Sequence, residues 1–264
     1  MKTALILFFG LTICLSCFAQ KEPKANLIWA EEFKKDGLPD PANWSYDVGD
    51  HGWGNNELQD YTKADPKNAR IEKGVLIIEA HADSSRHKGY TSARLVTKGK
   101  AAWEYGYIEV KAKLPQGVGT WPAIWMLPEE NRHGGWPKNG EIDIMEHVGF
   151  DPGKVHGTVH TEAFNHGIGT QKGAQLMVPD FHEKFHIYAI DWTAEKIDFF
   201  IDGQKYFTFE NSGKDYKEWP FSQPFHLILN IAVGGNWGGQ KGVDASIWPQ
   251  RMEVDYVRVY DKKP

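Results

Sequence analysis

A period of two runs through most of this chain, and no stretch carries a sustained helical stripe. In residues 107–114, Ile108, Val110, Ala112 and Leu114 alternate with Tyr107, Glu109, Lys111 and Lys113. Successive side chains on a strand point to opposite faces, so this pattern predicts one buried and one wet face. Residues 185–192, 196–201, 204–209, 225–233 and 252–260 are further strand candidates, rich in aromatic and branched side chains. Between two of them stands Asp202-Gly203, a strong signal for a tight hairpin. Many strands separated by Gly-rich turns predict an all-β chain of two packed antiparallel sheets.

A length of 264 residues suits one large β domain, big enough to bury a core without disulfides or metals. The formal net charge of −5 leaves no basic footprint for nucleic acid or an anionic membrane, and is compatible with a neutral polysaccharide. Residues 1–19 read as an export signal: Lys2, an apolar run from Ala4 to Ile13, and Cys17-Phe18-Ala19 before Gln20. That run is too short for a transmembrane helix. Two readings stay open, cleavage after Ala19 or lipidation of Cys17 as in a bacterial lipoprotein, and both place the protein outside the cytoplasm. Both cysteines, Cys14 and Cys17, lie in this segment, so cleavage after Ala19 leaves no cysteine to pair. Residues 20–27 form a short tether and residues 28–264 one domain, within which the polar stretch 83–90 is a loop excursion.

The chemistry concentrates in Glu141-Ile142-Asp143-Ile144-Met145-Glu146-His147, which places three carboxylates within six residues. Glu141 and Asp143 project together, whereas on a regular strand Glu146 points the other way. A β-bulge near Met145 restores the phase and turns all three acids into one cleft. So crowded a group holds at least one proton near neutral pH. Paired acids of this kind suit glycoside hydrolysis, in which one carboxylate attacks the anomeric carbon and the other group protonates the departing oxygen. Acids on a strand more often merely solvate its outer face. Here, however, Trp121, Trp125 and Trp136 cluster just upstream, and aromatic planes suit the C–H faces of sugar rings.

The acidic segment resembles the bulged signature of glycoside hydrolase family 16, in its laminarinase-like branch. The resemblance continues through Trp53-Gly54-Asn55-Asn56-Glu57-Leu58-Gln59, Trp121-Pro122-Ala123-Ile124-Trp125-Met126, Gly234-Gly235-Asn236-Trp237-Gly238-Gly239 and Trp248-Pro249-Gln250-Arg251-Met252-Glu253-Val254-Asp255-Tyr256. It covers nearly everything after about residue 28, with Trp248 standing where phenylalanine is more usual. It implies a concanavalin-like β-jelly-roll sandwich with a concave substrate cleft. Glu141 would be the nucleophile, Glu146 the general acid and base, and Asp143 the group that tunes the nucleophile. Spacing alone leaves the order of the two glutamates open.

Trp121, Trp125 and Trp136 are cleft candidates with core packing as the alternative. Asn55, Arg94, Asn230 and Trp237 look like residues of the negative subsites, and His160 like a sugar ligand near the leaving-group side. His156 and His160 share a strand face, but no metal-binding helix motif or cysteine set accompanies them. Glu32 and Asp255 resemble positions around a structural calcium, whose hard-donor preference carboxylates satisfy. The implied activity is endo-hydrolysis of β-1,3-glucan by a monomer, without an organic cofactor or catalytic metal. Mixed-linkage glucan hydrolysis is a rival reading, and a non-catalytic sugar-binding module is a rival of another class.

Overall fold

The computed structural model describes residues 24–264. The expected signal peptide, its lipidation at Cys17 and the first half of the tether, residues 20–23, lie outside the described residues. In chain order the strands are β1 (Leu27–Glu31), β2 (Ser45–Tyr46), β3 (Gln59–Tyr61), β4 (Ala69–Glu72), β5 (Val75–Ala82), β6 (Tyr90–Ser92), β7 (Arg94–Val96), β8 (Gly106–Lys113), β9 (Thr120–Pro128), β10 (Glu141–His147), β11 (Lys154–His160), β12 (Lys172–Met177), β13 (His186–Trp192), β14 (Lys196–Ile201), β15 (Gln204–Glu210), β16 (Phe225–Val233) and β17 (Gln250–Tyr260). Among the described residues the helical content is one 3-10 turn at His166–Ile168, and no helix is long and apolar enough to cross a membrane.

The strands form two sheets. A ten-stranded sheet runs β15, β14, β13, β8, β17, β5, β6, β3, with β1 on β17 and β4 on β5. A seven-stranded sheet runs β12, β11, β10, β9, β16, β7, β2. Pairing is antiparallel throughout except between β3 and β6, which run parallel. The Asp202-Gly203 hairpin is present, both residues having positive φ (50° and 78°) as a type I′ turn requires. Ile124 and Met126 of β9, Ile142, Ile144 and Met145 of β10, and Leu227, Leu229 and Ile231 of β16 form one wall of the core. Ile108, Val110, Tyr188, Ile190, Val254 and Val257 form the facing wall. Each such side chain contributes about 1.5–3 kcal/mol relative to exposure.

The outer face of β8 is drier than its alternation suggests. Lys111 and Lys113 are part-exposed, but Tyr107 and Glu109 are only 5% and 8% exposed. Tyr107 packs beside Phe200 and Tyr260, and Glu109 lies across from Arg258 in the ladder, so long side chains of neighbouring strands cover this face.

Glu32 and Asp255 do not fit a calcium site as they stand. Glu32 is held in a two-pronged contact by Arg258 (2.8 and 3.1 Å), and Asp255 is paired with Lys111 at 2.8 Å. Each carboxylate is already neutralised by a cation, which a dication would have to displace.

One glycine locks the sheet that carries the acids. Gly149, just after β10, donates its N–H to Thr120 O at 2.9 Å, and a Cβ there would overlap the Gly117 carbonyl. Gly135 has open space around it and an ordinary φ. Gly149→Ala is therefore expected to lower unfolding free energy by at least about 2 kcal/mol. Gly135→Ala should stay within about 0.5 kcal/mol of the parent. Denaturant titration of the two variants side by side checks the contrast.

Candidate active site

The acids sit together because β10 carries one residue too many. Against β9, Asp143 pairs with Trp125 and Met145 with Ile124, so two steps on β10 match one on its neighbour. Against β11, Asp143 pairs with Thr158 and Glu146 with His156, three steps against two. Ile144 and Met145 both turn into the core with no exposure, and Glu146 rejoins Glu141 and Asp143 on the opposite face. This is the expected bulge, and it places all three acids on one cavity of about 400 Å³.

The cavity lies on the face of the seven-stranded sheet away from the core. Asn55, Arg94, Trp121, Trp125, Trp136 and Asn230 line it together with the acids. Trp121 donates its indole N–H to Glu146 Oε1 at 3.0 Å. Trp125 donates to Asn230 Oδ1 at 2.7 Å, and Asn230 in turn donates to the Tyr61 hydroxyl at 2.9 Å. Trp136 is 45% exposed, its ring tilted against His166 at 4.7 Å, so it presents an open aromatic edge of the cleft. Two expected residues stand behind the lining. His160, 6% exposed, brings Nε2 to 3.4 Å from Asp143 Oδ2 and 3.8 Å from Glu141 Oε1. Trp237 packs edge-on against Trp121 at 5.5 Å and His156 at 5.0 Å.

The cavity is also lined by residues without a sequence motif that points to the site, among them His51, Trp53, Glu57, Tyr61 and His166. Trp53 and Glu57 lie in the same block as Asn55, so their positions were in view though their roles were not. Trp53 and Trp125 sandwich the Arg94 guanidinium, each ring centre 4.6 Å from its carbon. Glu57, 6% exposed, accepts from Gln59 Nε2 at 2.6 Å. These partners meet only through long-range pairing, and Tyr61 and His166 carried no local motif.

Electrostatics set the protonation of the group. Burial first, then the Asp143 charge, raises Glu141 well above the ordinary carboxylate range, with His160 opposing. Burial pushes Asp143 up to about 8. Burial and Asp143 push Glu146 up to about 8, against the pull of His160 and of the Trp121 hydrogen bond. The group therefore does not hold three negative charges near neutral pH. Glu141, Asp143 and His160 also offer ligand atoms within 4.8 Å of one another, the group of that kind found among the described residues; His156 does not join it.

The sign of the linkage follows from the raised values. Asp143 and Glu146 ordinarily titrate at 3.8 and 4.5 and are raised to about 8 here, so the folded chain binds more protons than the unfolded chain between those limits. Their contribution to stability is full below about pH 4, declines as pH rises, and levels off above about pH 8. Glu146→Gln should consequently be more stable than the parent at pH 8, by about 1–3 kcal/mol, with the difference closing toward pH 4. Unfolding curves across this range test it; a constant difference at all pH values would contradict the raised acid.

Comparison with known proteins agrees with this geometry. The sequence profile for glycosyl hydrolases family 16 matches residues 56–258. A β-glucanase of Rhodothermus marinus is 55% identical, over 98% of this chain and 94% of that protein. The X-ray structure of the laminarinase from Rhodothermus marinus superposes with a TM-score of 0.89 at 57% identity, covering 92% of this chain and all of that one. A non-specific endo-β-1,3(4)-glucanase of the same family superposes with a TM-score of 0.85 at 48% identity, over 90% of this chain and 92% of that one. The jelly-roll architecture, the bulged acidic strand and these matches lead to one conclusion: this chain belongs to glycosyl hydrolases family 16.

Proposed function

We propose that the protein is an endo-acting hydrolase of β-1,3-glucan that works by double displacement with retention of configuration. The observation that carries this reading is the bulge of β10, which presents Glu141, Asp143 and Glu146 to one tryptophan-lined cavity. The names and identities of the relatives support the substrate class. In the first step a Glu141 oxygen bonds to the anomeric carbon as Glu146 protonates the departing glycosidic oxygen. In the second, Glu146 takes a proton from water, whose oxygen replaces Glu141. Asp143, on the same strand face as Glu141, orients the nucleophile, and His160 and Arg94 favour its charged form. No organic cofactor enters this scheme.

Acceptance of mixed β-1,3-1,4-glucan is a second reading, favoured by the similarity to a non-specific endo-β-1,3(4)-glucanase. Laminarin, curdlan, lichenan, barley glucan and agarose as substrates, with product sizes followed in time, separate these readings. Binding without new reducing ends would leave the sugar-binding module instead. The expected export signal extends the proposal to a secreted, periplasmic or lipid-anchored protein, and a polysaccharide cleft that needs no partner subunit extends it to a monomer. Mass spectrometry of the mature N-terminus distinguishes cleavage after Ala19 from a lipidated Cys17, and sedimentation reports the oligomeric state.

Retention is tested by NMR in the first minutes of hydrolysis, where the new reducing end should appear as the β anomer; an initial α product would exclude double displacement. The roles of the two glutamates are tested by azide. Glu141→Ala with azide should yield the α-glycosyl azide, whereas Glu146→Ala should turn over an activated aryl glycoside and release the β-azide. The opposite pattern would exchange the two assignments. Glu141→Ser should lose hydrolysis yet couple an α-glycosyl fluoride to an acceptor.

A further inference from the structure

We propose that Trp121 is a positioning residue that determines which oxygen of Glu146 carries the catalytic proton. The proposal deepens the hydrolytic reading and rests on Glu146 acting as acid and base. An indole N–H donates and never accepts, and that of Trp121 lies 3.0 Å from Glu146 Oε1. The carbonyl oxygen of a carboxylic acid accepts more strongly than its hydroxyl oxygen, so the indole N–H on Oε1 keeps Oε1 as the acceptor in both protonation states and favours the acidic proton on Oε2. In the first step this proton leaves Oε2 for the glycosidic oxygen, which takes the electron pair of the breaking C–O bond while Glu141 bonds to carbon. In the second step Oε2 accepts a proton from the attacking water, and the bond between carbon and Glu141 breaks.

The Gly-rich segment 234–239 explains why Trp121 stays in place. A Cβ on Gly238 would come within 2.8 Å of Trp121 Cβ, and one on Gly235 within 3.4 Å of Trp121 Cζ3, so the bare backbone lies directly on the indole. Trp237 of the same segment braces Trp121 edge-on, and His156, opposite Glu146 in the ladder, braces Trp237. The segment is itself tied down by Asn236 N–H donating to Asn55 O at 2.7 Å. Glu146 is thus faced by Glu141 and Asp143 from its own strand, by His156 and His160 from β11, and by the uncharged Ala123 and Trp121 from β9. Trp121 is the neighbour that contributes a directed side-chain hydrogen bond to this acid.

Trp121→Phe removes the donor and keeps an aromatic ring. On laminarin and on phenyl β-laminaribioside, whose leaving groups need a proton, kcat/KM should fall about 10- to 100-fold. On the 2,4-dinitrophenyl glycoside, which needs little protonation, it should stay within about threefold. The alkaline limb of the pH profile should move upward, since loss of a donor disfavours the ionised acid. Equal loss on all three substrates, or an unmoved limb, would overturn the proposal. Glu146→Ala is assayed in parallel: if it fails to retain the dinitrophenyl substrate and is not rescued by azide, the assignment of Glu146 itself fails, whatever Trp121→Phe does. Should circular dichroism show Trp121→Phe unfolded, Trp237→Phe, which keeps the N–H but loosens its brace, decides the matter. A smaller loss confined to the poor leaving groups supports the role of Trp121, and a uniform loss or none overturns it.

Discussion

A strand has a period of two, and three carboxylates at positions 141, 143 and 146 cannot share one face of a regular strand. The extra residue in β10 removes that obstacle, and the site depends on it. Its position is held from the core side. Ile144 and Met145 are both fully buried, so sliding the bulge along the strand would expose one of them or bury a carboxylate. Packing on one face of the sheet thereby sets the chemistry on the other. Central strand β16 adds to this rigidity, since all nine of its residues are buried.

Bringing buried acids together raises their proton affinity, and the surroundings only partly offset this. His160 stands behind Glu141 and Asp143, Arg94 contributes positive charge from between two tryptophans, and the Trp121 indole donates to Glu146. The proposed double displacement needs one carboxylate ionised to attack and one carboxylic acid ready to donate, and these neighbours act on different members of the group. The same cavity wall offers aromatic edges and amide groups, which suit the two-sided chemistry of a sugar ring. Trp125, Asn230 and Tyr61 are linked in one hydrogen-bonded chain, so a residue of the wall does not reorient alone.

Much of this is legible in the amino-acid sequence. The runs at 196–201 and 225–233 coincide with β14 and β16, and Asp202-Gly203 is the turn it resembles. The bulge followed from the phase of three acids against two isoleucines. The outer face of β8 is only partly wet, because alternation reports direction and not what neighbouring strands lay across a face. Trp237, a cleft candidate from the sequence, packs edge-on against Trp121 and His156. Glu57, Trp53, Tyr61 and His166 were not selected, since none carries a local signal of the partner that gives it a place in the cavity.

Strand period, turn chemistry and the spacing of the acids were determined by the sequence alone, because each is a property of neighbouring residues. The family followed from blocks that keep their order along the chain. Which side chains face one another was decided by tertiary structure. Asn230 meets Trp125 and Tyr61, and Arg94 enters the space between Trp53 and Trp125, only after β7, β9 and β16 pair across more than a hundred residues. The protonation of the acids belongs to the same level, because it depends on burial and on charges that the folded sheets bring near.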